Sequence, residues 1–218
     1  MGRWRLVLAV VPMAWCVACH RTTDTACAKL LDDTTTSWAR AQRAWSDDTT
    51  HPTWSNDSLR RVLVALGDTD QAMRNGIMSH LDDTARVNRL VHVDSMHQIQ
   101  LRAIIARFGW PTRSMVGAKG ETSAWLIVQH SDSAFENEGL RLMTAAPPGQ
   151  VNPLEIAYLT DRTRVMRGRP QLYGTQFKAA GKGKWKLDSI EDSVHVDARR
   201  GAAGMEPLTV YTQCESGT

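Results

Sequence analysis

Acid–base chemistry in this 218-residue chain would centre on Gln129-His130, which is followed at once by Ser131-Asp132. An imidazole with an ordinary pKa near ~6.5 can take or give a proton at physiological pH. Asp161 or Asp132 would orient the ring of His130, and Arg162 or Arg200 would hold an anionic group. Gln171, Tyr173, Thr175 and Gln176 crowd one segment around Gly174 and would form the hydrogen-bonding wall of a binding site. Each of these residues also has a purely architectural reading. A histidine ending an apolar helix can cap carbonyls, an Asp161–Arg pair can join a helix to a hairpin, and glutamines can close backbone hydrogen bonds at a sheet edge. Gly174 can mark a bulge with no ligand beside it.

Stronger signatures are missing. The chain has no Gly-x-Ser-x-Gly, no Gly-Lys-Ser/Thr phosphate loop and no His-Glu-x-x-His. His92 and His97 are five residues apart, which does not stack them on one helical face, so no metal site and no cofactor is expected. Gly117-Ala118-Lys119-Gly120 leads into a helix, where backbone N–H groups and Lys119 could hold a phosphate; a plain flexible connection is the favoured reading.

The elements that must carry these residues read as mainly helical, with one small β-hairpin late in the chain (α+β). An N-terminal helix runs through Cys27, Leu31, Trp38, Ala41 and Trp45, and residues 46–58 form a linker. A helical block over residues 59–108 shows Leu59, Val62, Leu63 and Leu66 as one stripe closed by Gly67, and Leu101, Ile104, Ile105 and Phe108 as another capped by Gly109. Residues 124–130 make a short apolar helix. Ser133 with Glu136 has the spacing of a capping box, and Asn152-Pro153 starts a helix ending in Arg162, Arg164 and Arg167. Residues 171–178 and 185–190 alternate as two strands, and Lys178, Lys182, Lys184 and Lys186 are a solvated hairpin tip.

From residue 104 to 211 the chain resembles a bacterial family of unknown function whose members are often exported. The resemblance rests on Gly109-Trp110-Pro111, on Trp125 to His130, and on Ala157-Tyr158-Leu159-Thr160-Asp161-Arg162. It continues through Gly168-Arg169-Pro170-Gln171-Leu172-Tyr173-Gly174-Thr175-Gln176 and Val196-Asp197-Ala198-Arg199-Arg200. It implies that the polar set, with Trp110 and Gln129 in it, matters, and it supplies no activity. The chain before about residue 99 looks individual to this protein.

The N-terminus reads as an export signal. Arg3 and Arg5 precede an apolar run, and Val17-Ala18-Cys19 ends it with small residues before a cysteine, the arrangement of a lipoprotein signal in residues 1–19. Cys16 stands where leucine is usual. Residues 20–58 would then be tether and N-terminal helix, and 59–218 the folded domain. Lipid on Cys19 makes the membrane a partner and places the protein in the periplasm or cell envelope, with ordinary secretion as the alternative. Cys27 and Cys214 remain to form a disulfide in an oxidising space. Of the 26 basic residues, Arg3 and Arg5 leave with the signal, so the mature chain nearly balances its 23 acidic ones and offers no nucleic-acid footprint. The expected function is binding of a small molecule or peptide, with a hydrolase using His130 and a structural envelope module as alternatives. Palmitate fed to expressing cells is expected to label the mature chain and not a Cys19→Ser variant; an unlabelled wild-type chain would reduce the lipoprotein to a secreted protein.

Overall fold

The computed structural model describes residues 35–48, 54–77, 82–181 and 185–215. The signal, Cys19, Cys27, residues 49–53 of the linker and Lys182 and Lys184 lie outside the described residues. Among the described residues, apolar positions at helical spacing form six helices before the hairpin: α1 (Ser37–Ser46), α2 (Asp57–Ile77), α3 (Thr84–Phe108), α4 (Arg113–Gln129), α5 (Ser133–Ala145) and α6 (Pro153–Met166). Strands β1 (Phe177–Ala179) and β2 (Trp185–Leu187) follow, then a single 3-10 turn (Ser193–His195), α7 (Val196–Ala202) and α8 (Leu208–Glu215). The chain is thus mainly helical with a small antiparallel hairpin, paired Phe177 to Leu187, Lys178 to Lys186 and Ala179 to Trp185. No helix among the described residues is long and apolar enough to cross a membrane.

Helix α4 is the centre. It packs against α1, α2, α3, α5 and α6, and Val116, Ala118, Ala124, Trp125, Ile127 and Val128 on it are all buried. With Leu63, Leu101, Phe135, Met143 and Leu159 from its neighbours they form one core, each large side chain contributing roughly 1.5–3 kcal/mol by leaving water. The apolar segment expected over residues 124–130 is the second half of this longer helix. The loop expected at Gly117 is instead a kink within it: Gly117 has φ 72° and ψ 169°, a conformation open to glycine. Downstream of the kink the helix starts afresh, and Asp48 Oδ1 accepts the freed N–H of Ala118 at 2.7 Å. The suggested phosphate position at this N-terminus is therefore filled by the chain's own carboxylate, which Arg60 also binds at 3.1 Å.

Other local expectations shift for similar reasons. Gly67 does not close a helix. It lies buried inside α2, and a Cβ there would come 2.5 Å from Ser123 Oγ on α4, so its missing side chain sets how closely the two helices meet. Phe108 is exposed, since α3 leaves the core after Leu101, Ile104 and Ile105. The cap of α5 is Asp132, which accepts from Phe135 N at 2.8 Å; Ser133 is already helical, and Glu136 turns into the core. Asn152 and Pro153 start α6 as the sequence indicates. The strand expected over residues 171–178 shortens to Phe177–Ala179, and helices α7 and α8 follow the hairpin. Gly67→Ala is expected to lower stability by about 1–3 kcal/mol through overpacking against Ser123, read as a lower urea midpoint.

Candidate functional site

His130 caps the C-terminal end of α4, where its backbone N–H bonds Ile127 O. Its Nδ1 lies 3.0 Å from Asp70 Oδ1 and 2.8 Å from Arg74 Nε, both one turn apart on α2. Arg74 Nη2 donates onward to Asp70 Oδ1 at 3.1 Å and to Asp94 Oδ1 of α3 at 2.6 Å. Gln71 Nε2 donates to the other oxygen of Asp70 at 2.8 Å. Three helix termini and faces thus bring four charged or titratable groups to one place. The two contacts to Nδ1 exclude each other: with a proton there it donates to Asp70, and without one it accepts from Arg74. The neighbourhood thus decides whether Nε2 carries a lone pair or a proton, which is the difference between a base and a donor.

The electrostatics follow from burial. Desolvation presses the Asp70 carboxyl upward, but the His130 hydrogen bond, then the charges of His130 and Arg74, outweigh it and hold Asp70 at about 2. Asp94 is raised because burial exceeds the pull of Arg74. His97, one turn along α3 from Asp94, is pushed down by burial against the pull of Asp70 and Asp94. Its Nδ1 is buried without a hydrogen-bond partner. Beside this cluster, Arg162 Nε donates to Glu136 Oε1 at 2.5 Å; burial still raises Glu136, and the His130 charge acts on it in the opposite sense.

Asp161 does not orient His130; it holds a loop. Its Oδ1 accepts from Leu172 N at 2.6 Å and Tyr173 N at 3.1 Å, and its Oδ2 from Thr175 N and Thr175 Oγ1, each at 3.0 Å. The carboxyl is completely buried, and desolvation raises it despite those four donors. Gln171 closes the loop from inside: its Nε2 donates to Gln176 O and Asp188 O, and its Oε1 accepts from Gln176 N. Arg200, also completely buried, donates to Tyr173 O at 2.7 Å and Glu206 O at 2.6 Å and lies 4.6 Å over the Tyr211 ring. Tyr211 Oη donates to Thr175 O. This is why residues 171–176 do not form a strand: the backbone N–H groups of Leu172, Tyr173 and Thr175 turn inward to one carboxylate.

The residues singled out in sequence therefore divide. His130 joins Asp70, Arg74 and Asp94. Asp161, Gln171, Tyr173, Thr175, Gln176 and Arg200 form the loop network, and Arg162 pairs with Glu136. Trp110 is buried elsewhere, its Nε1 donating to Glu121 Oε1 at 3.2 Å, and Gln129 is buried in the last turn of α4. Asp132 caps α5 and bonds Gln98 and Arg102 rather than His130. Asp70, Arg74 and Asp94 are not singled out in sequence, and His97 is weighed there only with His92 as a metal ligand, though a signal exists. Asp70 falls seven residues from both Leu63 and Ile77 on the buried stripe of α2, and His97 falls seven from Leu90 on that of α3. A charged or polar residue in a core register must be paired. Among the described residues no group of three or more His, Cys, Asp or Glu side chains is placed to hold a metal ion. Cys214 is buried and disulfide-bonded, while Cys27, the partner expected for it, lies outside the described residues.

A family model described as a family of unknown function (DUF6624) matches residues 57–216. No curated protein and no solved structure matches the chain. The match begins at the first residue of α2, well before residue 104 where the sequence motifs start, so the stretch that looked individual includes α2 and α3. Within the matched stretch α2 and α3 supply Asp70, Arg74 and Asp94 to His130, and α2 packs along α4. Asp161→Ala is expected to cost about 3 kcal/mol or more, since three backbone N–H groups lose their acceptor at once; equilibrium urea unfolding measures it.

Proposed function

The chain belongs to that family of unknown function, and from this premise we propose an exported, lipid-anchored protein whose domain binds a small polar molecule or a peptide at the Asp70, Arg74, Asp94 and His130 cluster. The observation that carries the reading is the position of Asp70, 1% exposed in a register otherwise filled by Leu63 and Ile77. A buried ion network usually stabilises no more than apolar side chains of the same volume would. The cluster lies where α2, α3 and α4 converge, and although mostly covered, Arg74, Asp94 and His130 keep side-chain exposures of 15%, 20% and 8%, which supports a ligand surface over a sealed joint between helices. Cys19 would carry the lipid, residues 20–58 the tether and N-terminal helix, and the folded domain would follow. Cys27 is the partner we assign to Cys214.

A second reading has its own support. An ionised, buried Asp70 at hydrogen-bond distance from an imidazole Nδ1 is the arrangement by which a carboxylate holds a histidine for acid–base work. The two readings separate in one experiment. Small-molecule fractions from the producing cells are expected to raise the melting temperature of the wild-type chain and not that of His130→Gln, whose unliganded melting temperature stays near wild type. Depletion of a compound by the wild type alone would favour catalysis over binding. A shift of equal size in both proteins, or none in either, would sink the site.

A further inference from the structure

Glu121, on α4, and Glu155, in the first turn of α6, meet inside the core with exposures of 0% and 2%. Each is bonded on one side. Glu121 Oε1 accepts from Trp110 Nε1 at 3.2 Å, and Glu155 Oε1 accepts from Thr122 Oγ1 at 2.6 Å. The backbone N–H of Asn152 also reaches Glu121, and the Asn152 side chain reaches Glu155. Each carboxyl keeps its second oxygen, Oε2, buried with no donor, and the two carboxyls face each other closely enough for one proton to bridge them. Two carboxylates have only acceptors between them, so a proton on one of them is what satisfies both.

Among the described residues no cation competes for that role. On the elements packed around the pair, Arg60 of α2 is bound to Asp48, and Lys119 of α4 to Asp68. Arg113 of α4 donates to the carbonyls of Ala44 and Asp47 beside α1. Arg102 of α3 bonds Glu138 of α5, and Arg162 of α6 bonds Glu136 of α5. Burial is the largest influence on both glutamates. The Glu155 charge adds to it and holds Glu121 well above the usual carboxylate range, while Glu155 is pushed up to about 7 against the hydrogen bonds from Glu121, Thr122 and Asn152.

We infer that Glu121 and Glu155 form a pH-sensitive catch between α4 and α6, closed while the pair holds a shared proton and forced open when that proton is lost to water. With the proton in place the two carboxyls are one hydrogen-bonded unit. Without it, two like charges face each other in a region of low dielectric, and the first turn of α6 separates from the middle of α4. Helix α4 also carries His130 at its end, so opening the catch loosens the charged cluster as well. The inference stands apart from any ligand at His130.

The sign of the pH dependence follows from the direction of the shifts. A carboxyl whose folded value lies above its unfolded value gives stability that is complete below the ordinary 4.5 and is lost as pH rises. Glu155, pushed up to about 7, yields its proton first, and the shared proton kept by Glu121, which the Glu155 charge holds higher, is lost only above that. Per titrating proton the folding constant falls up to ~tenfold for each pH unit in that window. The test is urea unfolding of the full mature chain from about pH 5 to pH 9, for wild type, Glu121→Gln and Glu155→Gln. A glutamine keeps the size and donates the missing hydrogen bond without titrating. The two variants are expected to lose less stability over the window than wild type; profiles parallel to wild type overturn the inference. If either variant fails to fold, the infrared carboxylic-acid band of wild-type protein with carbon-13 glutamate decides. The band is expected at pH ~6 and gone by pH ~9; a chain without it at the lower pH overturns the catch.

Discussion

A helix packed against five others has little surface on which to leave a charge, and the rest of this structure answers to that constraint. Helix α4 is buried over most of its length and still carries Glu121, Gln129 and, at its end, His130. Its buried polar groups need partners inside the protein, because water is excluded from them. The partners come from each neighbour in turn: Asp70 and Arg74 from α2, Asp94 through Arg74 from α3, Glu155 from α6, and Asp48 from the segment after α1. The close approach of α2 at Gly67 and the kink at Gly117 are the backbone adjustments that let these partners reach.

Three buried acids are accommodated by three different means. Asp70 is kept ionised by cationic and imidazole neighbours, Asp161 is met by backbone and hydroxyl donors, and Glu121, pushed upward by burial and by the Glu155 charge, faces a partner carboxyl. The distinction matters for what each can do. A carboxylate surrounded by backbone N–H groups is a fixed architectural anion, since moving it would strand its donors. A carboxylate tied to an arginine and a histidine that are themselves partly exposed can exchange partners with a ligand. Two carboxyls without a cation respond to pH.

Two stretches illustrate what could be read in the sequence and what could not. In α6, asparagine, proline and glutamate at the start and arginines at the end are local signals, and the helix forms where they place it. Residues 171–176 alternate like a strand, yet they coil around Asp161, because a carboxylate eleven residues earlier competes successfully for their N–H groups. Alternation reports side-chain polarity only, and says nothing of where the backbone donors go. His130 was visible as a titratable residue, while Asp70, sixty positions away, was visible only as an anomaly in an apolar stripe.

By itself, then, the amino-acid order determined the helical character, the late hairpin, most helix ends and the presence of a polar set worth attention. These depend on periodicity, capping side chains and backbone freedom, all acting over a few residues. Tertiary structure alone decided which member of that set meets which: Asp161 to its loop, His130 to Asp70 and Arg74, Trp110 to Glu121, and Glu121 to Glu155. Pairing across tens of residues is chosen by the desolvation of charges when the helices close on α4, and that cost exists only once the core has formed.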